Sequence, residues 1–240
     1  MFPVVSAVLD VLYPPLCLAC GLRLRAGEYL CAVCLRDAVP LPLNVGQSSA
    51  HISSLACACD ATMMLVGWEY EGGGVIERCI HAMKYRRLHS AGIWLGRLLA
   101  ERLLQETNPG ARGILDAQAI LLPVPLHRIK RIERGFNQAD YLCRGISSES
   151  GLEWDSRLLL RRRYTTSQSA SKLDRDERQR NVRDAFHVDR AHAASLNGRP
   201  LILVDDLVTT GATICACVDT LIAAGFTDVR ILAIARPPRH

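Results

Sequence analysis

The chain predicts an α/β protein: a mostly parallel sheet with helices on both faces, preceded by a small cysteine-rich module. Three observations predict it. Over residues 61–240, short apolar runs alternate with stretches of helical period, the pattern of strand–helix–strand units. Ahead of them, residues 17–34 hold four cysteines in two Cys-x-x-Cys pairs. The apolar run at residues 201–204 ends in paired carboxylates, Asp205 and Asp206, followed by a loop rich in threonine and glycine. A length of 240 residues suits a medium domain with a small attachment. The expected division is 1–60 for the cysteine module and linker, and 61–240 for the α/β domain.

Composition narrows the function. Hydrophobic residues make up 49% and charged residues 22%, which excludes wholesale disorder. Aromatic residues are only 5%, which weighs against rows of base-stacking rings. The net charge is a mild +5, but its placement is uneven. Residues 157–183 carry +6 and residues 127–134 carry +3, so the rest of the chain sums to −4. No apolar run reaches the roughly 18–20 residues that a membrane span needs. The first 15 residues are apolar but lack a basic start, contain Asp10 and show no small-residue cleavage site. A cytoplasmic location is therefore expected, and there clustered thiols point to a metal before disulfides.

Each element has its own signal. Residues 4–12 read as a short helix stopped by Pro14 and Pro15, and residues 36–60, rich in Pro, Ser, Gly and Asn, as a linker. MMLVGWEY (63–70) reads as a strand. Ile76, Cys79, Ile80 and Met83 recur at i, i+3, i+4 and i+7, the stripe of an amphipathic helix ending near Lys84 and Tyr85. Leu95, Leu98, Leu99 and Leu103 mark a second helix. AILLPVPL (119–126) is a buried strand breaking into a basic loop, with a helix over 137–148. Residues 158–160 read as a short strand, and the basic stretch up to Asn181 as a loop. LILVDD (201–206) and VRILAIA (229–235) are buried strands, with a helix over 212–224 between them.

Cys17 and Cys20 are separated by ten residues from Cys31 and Cys34. Each pair can turn two thiolates toward one ion, and Gly21 suits the tight knuckle after Cys20. Four thiolates around Zn²⁺ complete a tetrahedron with no position left for water, so the metal would be structural. A module this small lacks a sufficient core, and the metal would supply folding energy on the order of 10 kcal/mol. A redox Cys-x-x-Cys, or two unconnected thiol pairs, is the competing reading. Cys57 and Cys59, one residue apart, read as unpaired loop thiols. Cys79 and Cys143 read as small core residues, and Cys215 and Cys217 as helix positions facing different directions.

The strongest signal is LILVDDLVTTGAT (201–213). Asp205 and Asp206 emerge at the carboxyl end of a buried strand, where open α/β sheets place ligands. Thr209, Thr210, Gly211, Ala212 and Thr213 then offer hydroxyls, backbone N–H groups and a glycine that permits positive φ, ahead of a helix N-terminus. Carboxylates beside a phosphate cradle suit a sugar phosphate, with acids taking ribose hydroxyls and the loop the 5′-phosphate. The chain contains no Gly-Lys dipeptide and no G-x-G-x-x-G, which excludes a P-loop and a dinucleotide fingerprint.

VDDLVTTGAT resembles the phosphoribosyl pyrophosphate (PRPP) motif of type I phosphoribosyltransferases. YPPLCLACG (13–21), the MKYR segment around Lys84, PVPLHRIKRIERGFNQA (123–139) and QSASKLDRDERQRNVRDAF (168–186) extend the likeness to the ComF/GntX family of competence-associated, phosphoribosyltransferase-like proteins. The segments occur in the same order over nearly the whole chain. Many relatives carry further cysteine pairs where this chain has only Cys57 and Cys59.

The resemblance implies a type I phosphoribosyltransferase-like fold behind a four-cysteine zinc ribbon, with Mg²⁺-PRPP as ligand. It also implies roles. Arg134, Asn137 and Gln138 would face the pyrophosphate, and Arg128, Arg131 and Arg134, spaced at three, would share a helical face or line a loop. Lys84 and Arg178 would act beside Asp205 and Asp206 in catalysis. Residues 164–183, with Gln168, Lys172, Arg175 and Asn181, would form a hood over PRPP that excludes water. Three readings stay open: a phosphoribosyltransferase with an unassigned acceptor, a PRPP- or nucleotide-sensing protein, and a single-stranded DNA-binding factor working with DNA-uptake proteins.

Overall fold

The apolar runs become strands whose side chains alternate between two cores, as a sheet covered on both faces requires. The computed structural model describes residues 15–43, 52, 53, 55, 59–161, 185–196 and 198–238. Five strands form one sheet: β1 (Met63–Glu69), β2 (Ile120–Pro123), β3 (Glu153–Trp154), β6 (Leu201–Leu207) and β7 (Val229–Arg236), in the order β1-β7-β6-β2-β3. All four pairings are parallel. β4 (Leu159–Arg161) and β5 (Phe186–Val188) make a separate antiparallel pair. Leu65, Leu121, Ile202, Val204, Leu232 and Ile234 enter one core, while Met64, Val66, Leu122, Leu203 and Ile231 enter the other.

The first core is closed by α2 (Val75–Tyr85), α3 (His89–Gln105) and α6 (Gln138–Ser150). The stripe Ile76, Cys79, Ile80 and Met83 is buried on α2, as its period predicts. Helices α3 and α6 touch backbone to backbone. A Cβ on Gly96 would lie 2.3 Å from the Leu142 carbonyl oxygen, and one on Gly145 would lie 2.0 Å from that of Ile93. The second core is closed by α8 (Ala212–Ala223), through Ile214, Ala216, Val218 and Leu221, together with Leu159 and Phe186 of the small hairpin. Helices thus cover both faces, and the fold class is the one expected: α/β, a parallel sheet between two helical layers, behind a four-cysteine module.

Shorter elements complete the chain: α1 (Ala32–Arg36), α4 (Pro109–Arg112), a 3-10 turn (Gly113–Leu115), α5 (Arg128–Arg134) and α7 (Arg190–Leu196). Two residues of the expected linker pair with the sheet edge. Leu41 donates to the Gly67 carbonyl at 2.9 Å, and Glu69 to that of Val39 at 2.9 Å. The Arg102 guanidinium holds both layers, bonding the Gly67 and Leu41 carbonyls and lying over Trp68. The expected helix over 4–12 lies outside the described residues. Among the described residues, no helix is long and apolar enough to cross a membrane.

The strand order positions the site. From β2 the chain passes through α6, on one face, to β3; from β6 it passes through α8, on the other face, to β7. The crossovers leave in opposite directions, so a crevice opens between the carboxyl ends of β2 and β6. The register fixes what lines it. Pro123 pairs with Val204, so the loop after β2 starts beside Asp205.

Candidate functional site

The crevice is a cleft of about 400 Å³. Lys84 reaches it from the last turn of α2, Arg134 from α5, and Asn137 and Gln138 from the start of α6. Asp205, Asp206 and Thr213 complete the set of expected residues that it brings together. The Lys84 Nζ lies 2.8 Å from Asp206 Oδ1, and both side chains are largely buried. Lys84 is therefore a counter-charge and not only a helix-terminal cation. Burial and the neighbouring Asp206 carboxylate push the Asp205 carboxyl up to about 7. The Asp206 N–H donates to Asp205 Oδ1 at 2.8 Å, fixing the two acids relative to each other.

Gln138 is 2% exposed, and its Nε2 has no partner among the described residues. A buried amide donor left unpaired costs roughly 1–3 kcal/mol, so Gln138 has a donor to offer a group bound in the cleft. It stands at the first residue of a 13-residue helix whose N-cap, Asn137, does not cap it. The Asn137 amide instead donates to the Val124 carbonyl at 3.1 Å and to Asp140 Oδ1 at 3.2 Å. That leaves the positive end of the α6 dipole at the cleft wall. Positive potential is visible elsewhere too: burial and the charges of Arg161 and Lys130 hold His127 below its ordinary value.

The loop after Asp206 is placed as expected in part. Gly211 adopts φ +81° and opens α8, and a Cβ there would collide with the Leu55 side chain. Thr209 and Thr210 are exposed, and with Gly211 and Ala212 they lie outside the lining of the cleft, which only Thr213 joins. Arg178 and the other hood residues, Gln168, Lys172, Arg175 and Asn181, lie outside the described residues, as does Cys57.

The three arginines lie on one helix but do not line one cleft. Residues 128–134 form a helix, α5, in which no side chain is buried. Lys130 and Arg134 line the cleft, and Arg128 and Arg131 line a neighbouring one. Ile129 and Ile132 face solvent at 60% and 69% exposure. Arg134 lies over the ring of Tyr85, 5.5 Å from its centre. Sequence reasoning missed His127, Lys130 and Arg161 as cleft residues. The only signal for Arg161 was the basic run that follows the Leu158–Leu160 triplet.

The cysteine module is built by knuckles. Gly21, at φ +74°, closes the first by donating to the Cys17 carbonyl at 2.9 Å. Cys31 caps α1, its sulfur accepting from the Cys34 N–H at 3.4 Å, and the Cys17 sulfur accepts from the Cys31 N–H at 3.4 Å. All four sulfurs lie within 4.8 Å of one another. The Cys20 and Cys31 sulfurs are 3.8 Å apart, the edge of about 3.8 Å that a tetrahedron of 2.3 Å metal–sulfur bonds would have. Burial opposes ionisation of Cys17, but backbone N–H groups of Cys20, Cys31 and Ala19 hold it at about 6, while the side chains of Cys20 and Cys31 push Cys34 up. Four sulfurs this close repel one another as thiolates, and the set fits a divalent cation such as zinc. Outside this cluster, Cys79, Cys143 and Cys217 are buried free thiols and Cys59 is half-buried.

Comparisons follow the same outline. Two proteins named DNA utilization protein YhgH, from Escherichia coli O157:H7 and Salmonella typhimurium, are 29% and 28% identical over 232 residues, 93% of this chain and 97% of each relative. Competence protein F of Haemophilus influenzae is 29% identical over 147 residues, 60% of this chain and 62% of that protein. Among solved structures, an allosteric regulatory enzyme of purine biosynthesis aligns with a TM-score of 0.39 and 22% identity, over 60% of this chain and 25% of that one. No family model matches the chain. Relatives matched nearly end to end, together with the four-cysteine cluster and the VDD strand, support the assignment of the chain to the ComF/GntX family.

Proposed function

We propose that the protein is a cytoplasmic phosphoribosyltransferase that binds Mg²⁺-PRPP in the cleft between β2 and β6 and serves DNA uptake. The observation that carries this reading is the buried, unpartnered Gln138 amide in a cleft where Lys84, Lys130, Arg134 and Arg161 outnumber two carboxylates. Such a site suits a polyanion with hydroxyls. Asp205 and Asp206 accept from the ribose hydroxyls, residues 209–213 hold the 5′-phosphate, and Arg134, Asn137 and Gln138 take the pyrophosphate. Arg178 and the hood segment belong to the same reading. Mg²⁺, arriving with the substrate, offsets the charge of the leaving pyrophosphate. Fixed donors aimed at developing charge are worth roughly 10²–10³ in rate each. Residues 1–60 are read as the module and linker, with zinc as the structural ion on Cys17, Cys20, Cys31 and Cys34, and 61–240 as the transferase domain. The names of the relatives, competence and DNA utilization, support the cellular role.

Calorimetric titration of Mg²⁺-PRPP tests the pocket. Binding to wild type is expected, with a loss of 100-fold or more in the double variant Asp205→Asn, Asp206→Asn. Absence of binding to folded, zinc-loaded wild type sinks the reading.

A second reading, single-stranded DNA as ligand, is favoured by one patch. Exposed Tyr85 beneath Arg134, with Ile129 and Ile132 among the cations of α5, offers a stacking face inside a positive field. DNA affinity that collapses between low and moderate salt yet survives Asp205→Asn would favour it.

A further inference from the structure

A group-transfer site needs a second ligand beside the first, and the described residues form a second cleft there, of about 370 Å³. Pro125, Leu126, Asn137 and Arg161 line both clefts, so one wall separates them. On the far side of that wall α5 presents Arg128 and Arg131, the two cations withheld from the first cleft. Leu159, buried, and the Pro125 ring give apolar walls. Asp140 is the acidic residue of the lining. Asn137 donates to its Oδ1 and is itself tied to the Val124 carbonyl, so the amide at the wall also orients the carboxylate on the other side.

We propose that this second cleft is the acceptor pocket and takes a flat N–H heterocycle or aromatic amine carrying a carboxylate. It rests on the reading of the first cleft as the PRPP site. Arg128 and Arg131 meet the carboxylate, the proline and leucine walls flank the ring, and Asp140 faces the N–H. The nitrogen lone pair forms the bond to ribose C1 as the C1–O bond to pyrophosphate breaks. That bond's electron pair leaves on a pyrophosphate oxygen, and the N–H proton passes to the Asp140 carboxylate. Burial pushes Asp140 above the usual carboxylate range, against Arg131, the Asn137 hydrogen bond and Arg144, which makes it the better proton acceptor. The same carboxylate stands in the first turn of α6, where it would favour the helix with no ligand at all.

The test uses the full zinc-loaded chain with two probes: orotate, a carboxylated N–H heterocycle, and anthranilate, a carboxylated aromatic amine. At least one is expected to bind and to drive pyrophosphate release from Mg²⁺-PRPP. Arg128→Gln with Arg131→Gln should weaken probe binding about tenfold or more and leave Mg²⁺-PRPP affinity within about twofold. Asp140→Asn should keep probe affinity within about threefold but lower release about 100-fold or more. Should that variant misfold, Asp140→Glu keeps a first-turn acid and should still lose about tenfold or more in release. A chain that binds Mg²⁺-PRPP but neither probe, or binds them equally after loss of both arginines, or binds them without release, overturns the proposal. Failure of Mg²⁺-PRPP itself to bind is a separate readout and sinks the first-cleft reading.

Discussion

The cysteine cluster and the cleft are both polar sites, yet they are assembled in opposite ways. Four sulfurs come from residues 17–34 and are aimed by local N–H bonds to Cys17 and Cys31. The cleft takes Lys84, the loop after Pro123, Arg161 and Asp205 from across the chain, and the sheet with the helix and hairpin packed on it brings them together. A local site needs only its own short segment, whereas a distributed site depends on the whole fold. The separation is incomplete, because Cys17, Leu30, Cys31 and Cys34 share one buried cluster with Cys79, Leu95 and Leu99 of α2 and α3. Tyr29 is joined to α3 as well, through its hydroxyl on Ser90 and its ring against Trp94.

The largest effect expected is from the metal. If the four cysteines hold zinc as proposed, chelation or Cys31→Ser should release it and forfeit folding energy on the order of 10 kcal/mol. Because the cluster is shared, calorimetry should show the main unfolding transition fall with it. Two independent transitions, with Mg²⁺-PRPP affinity intact after zinc removal, would instead make the module a separate body.

A glycine in each region sharpens the contrast. Gly145→Ala drives a Cβ to 2.0 Å from the Ile93 carbonyl in the α3–α6 contact, and should cost about 3 kcal/mol or more by urea unfolding. Gly27→Ala, in the module, meets nothing within 4 Å and suffers only from φ +88°, with a cost of about 1 kcal/mol. Equal costs would mean that α3 and α6 part easily, and the cleft floor with them.

How much was legible follows from locality. Residues 201–206 read as a strand because four apolar residues run into two acids, and α2 reads as a helix because its stripe is complete over 76–83. The spacing of the four module cysteines was legible for the same reason. Over 128–134 helix and loop both stay open in the sequence because RIKRIER buries nothing and so carries no apolar stripe, although His127 accepts from the Ile129 N–H and Gly135 closes the helix at φ +82°. β3 is two residues long and β5 three, too short for any period. Lys130, Arg161 and His127 each look like ordinary surface residues. Their shared destination depends on Pro123 ending opposite Val204, a long-range pairing that no local window contains.

The smallest effect bears on the cleft alone and separates function from stability. Burial and the Asp206 carboxylate lift Asp205 from 3.8 to about 7. Below about pH 4 the acid is protonated in both folded and unfolded chains and costs nothing. Between about 4 and 7 the folded chain keeps a proton that the unfolded chain releases, so stability falls as pH rises through that window. Asp205→Asn removes the titrating group while keeping the Oδ1 that accepts from the Asp206 N–H. The variant should therefore exceed wild type in stability at pH 8, by at most a few kcal/mol, an advantage that fades toward pH 4. Its Mg²⁺-PRPP affinity should drop, and wild-type affinity should weaken as pH falls below 7, because the ionised carboxylate is the better acceptor of a ribose hydroxyl. Denaturant unfolding and titration at pH 5 and pH 8 measure both. A variant no more stable at pH 8 would show that Asp205 bears no burial penalty, and the cleft would then lack the strain that marks a site held ready for a ligand.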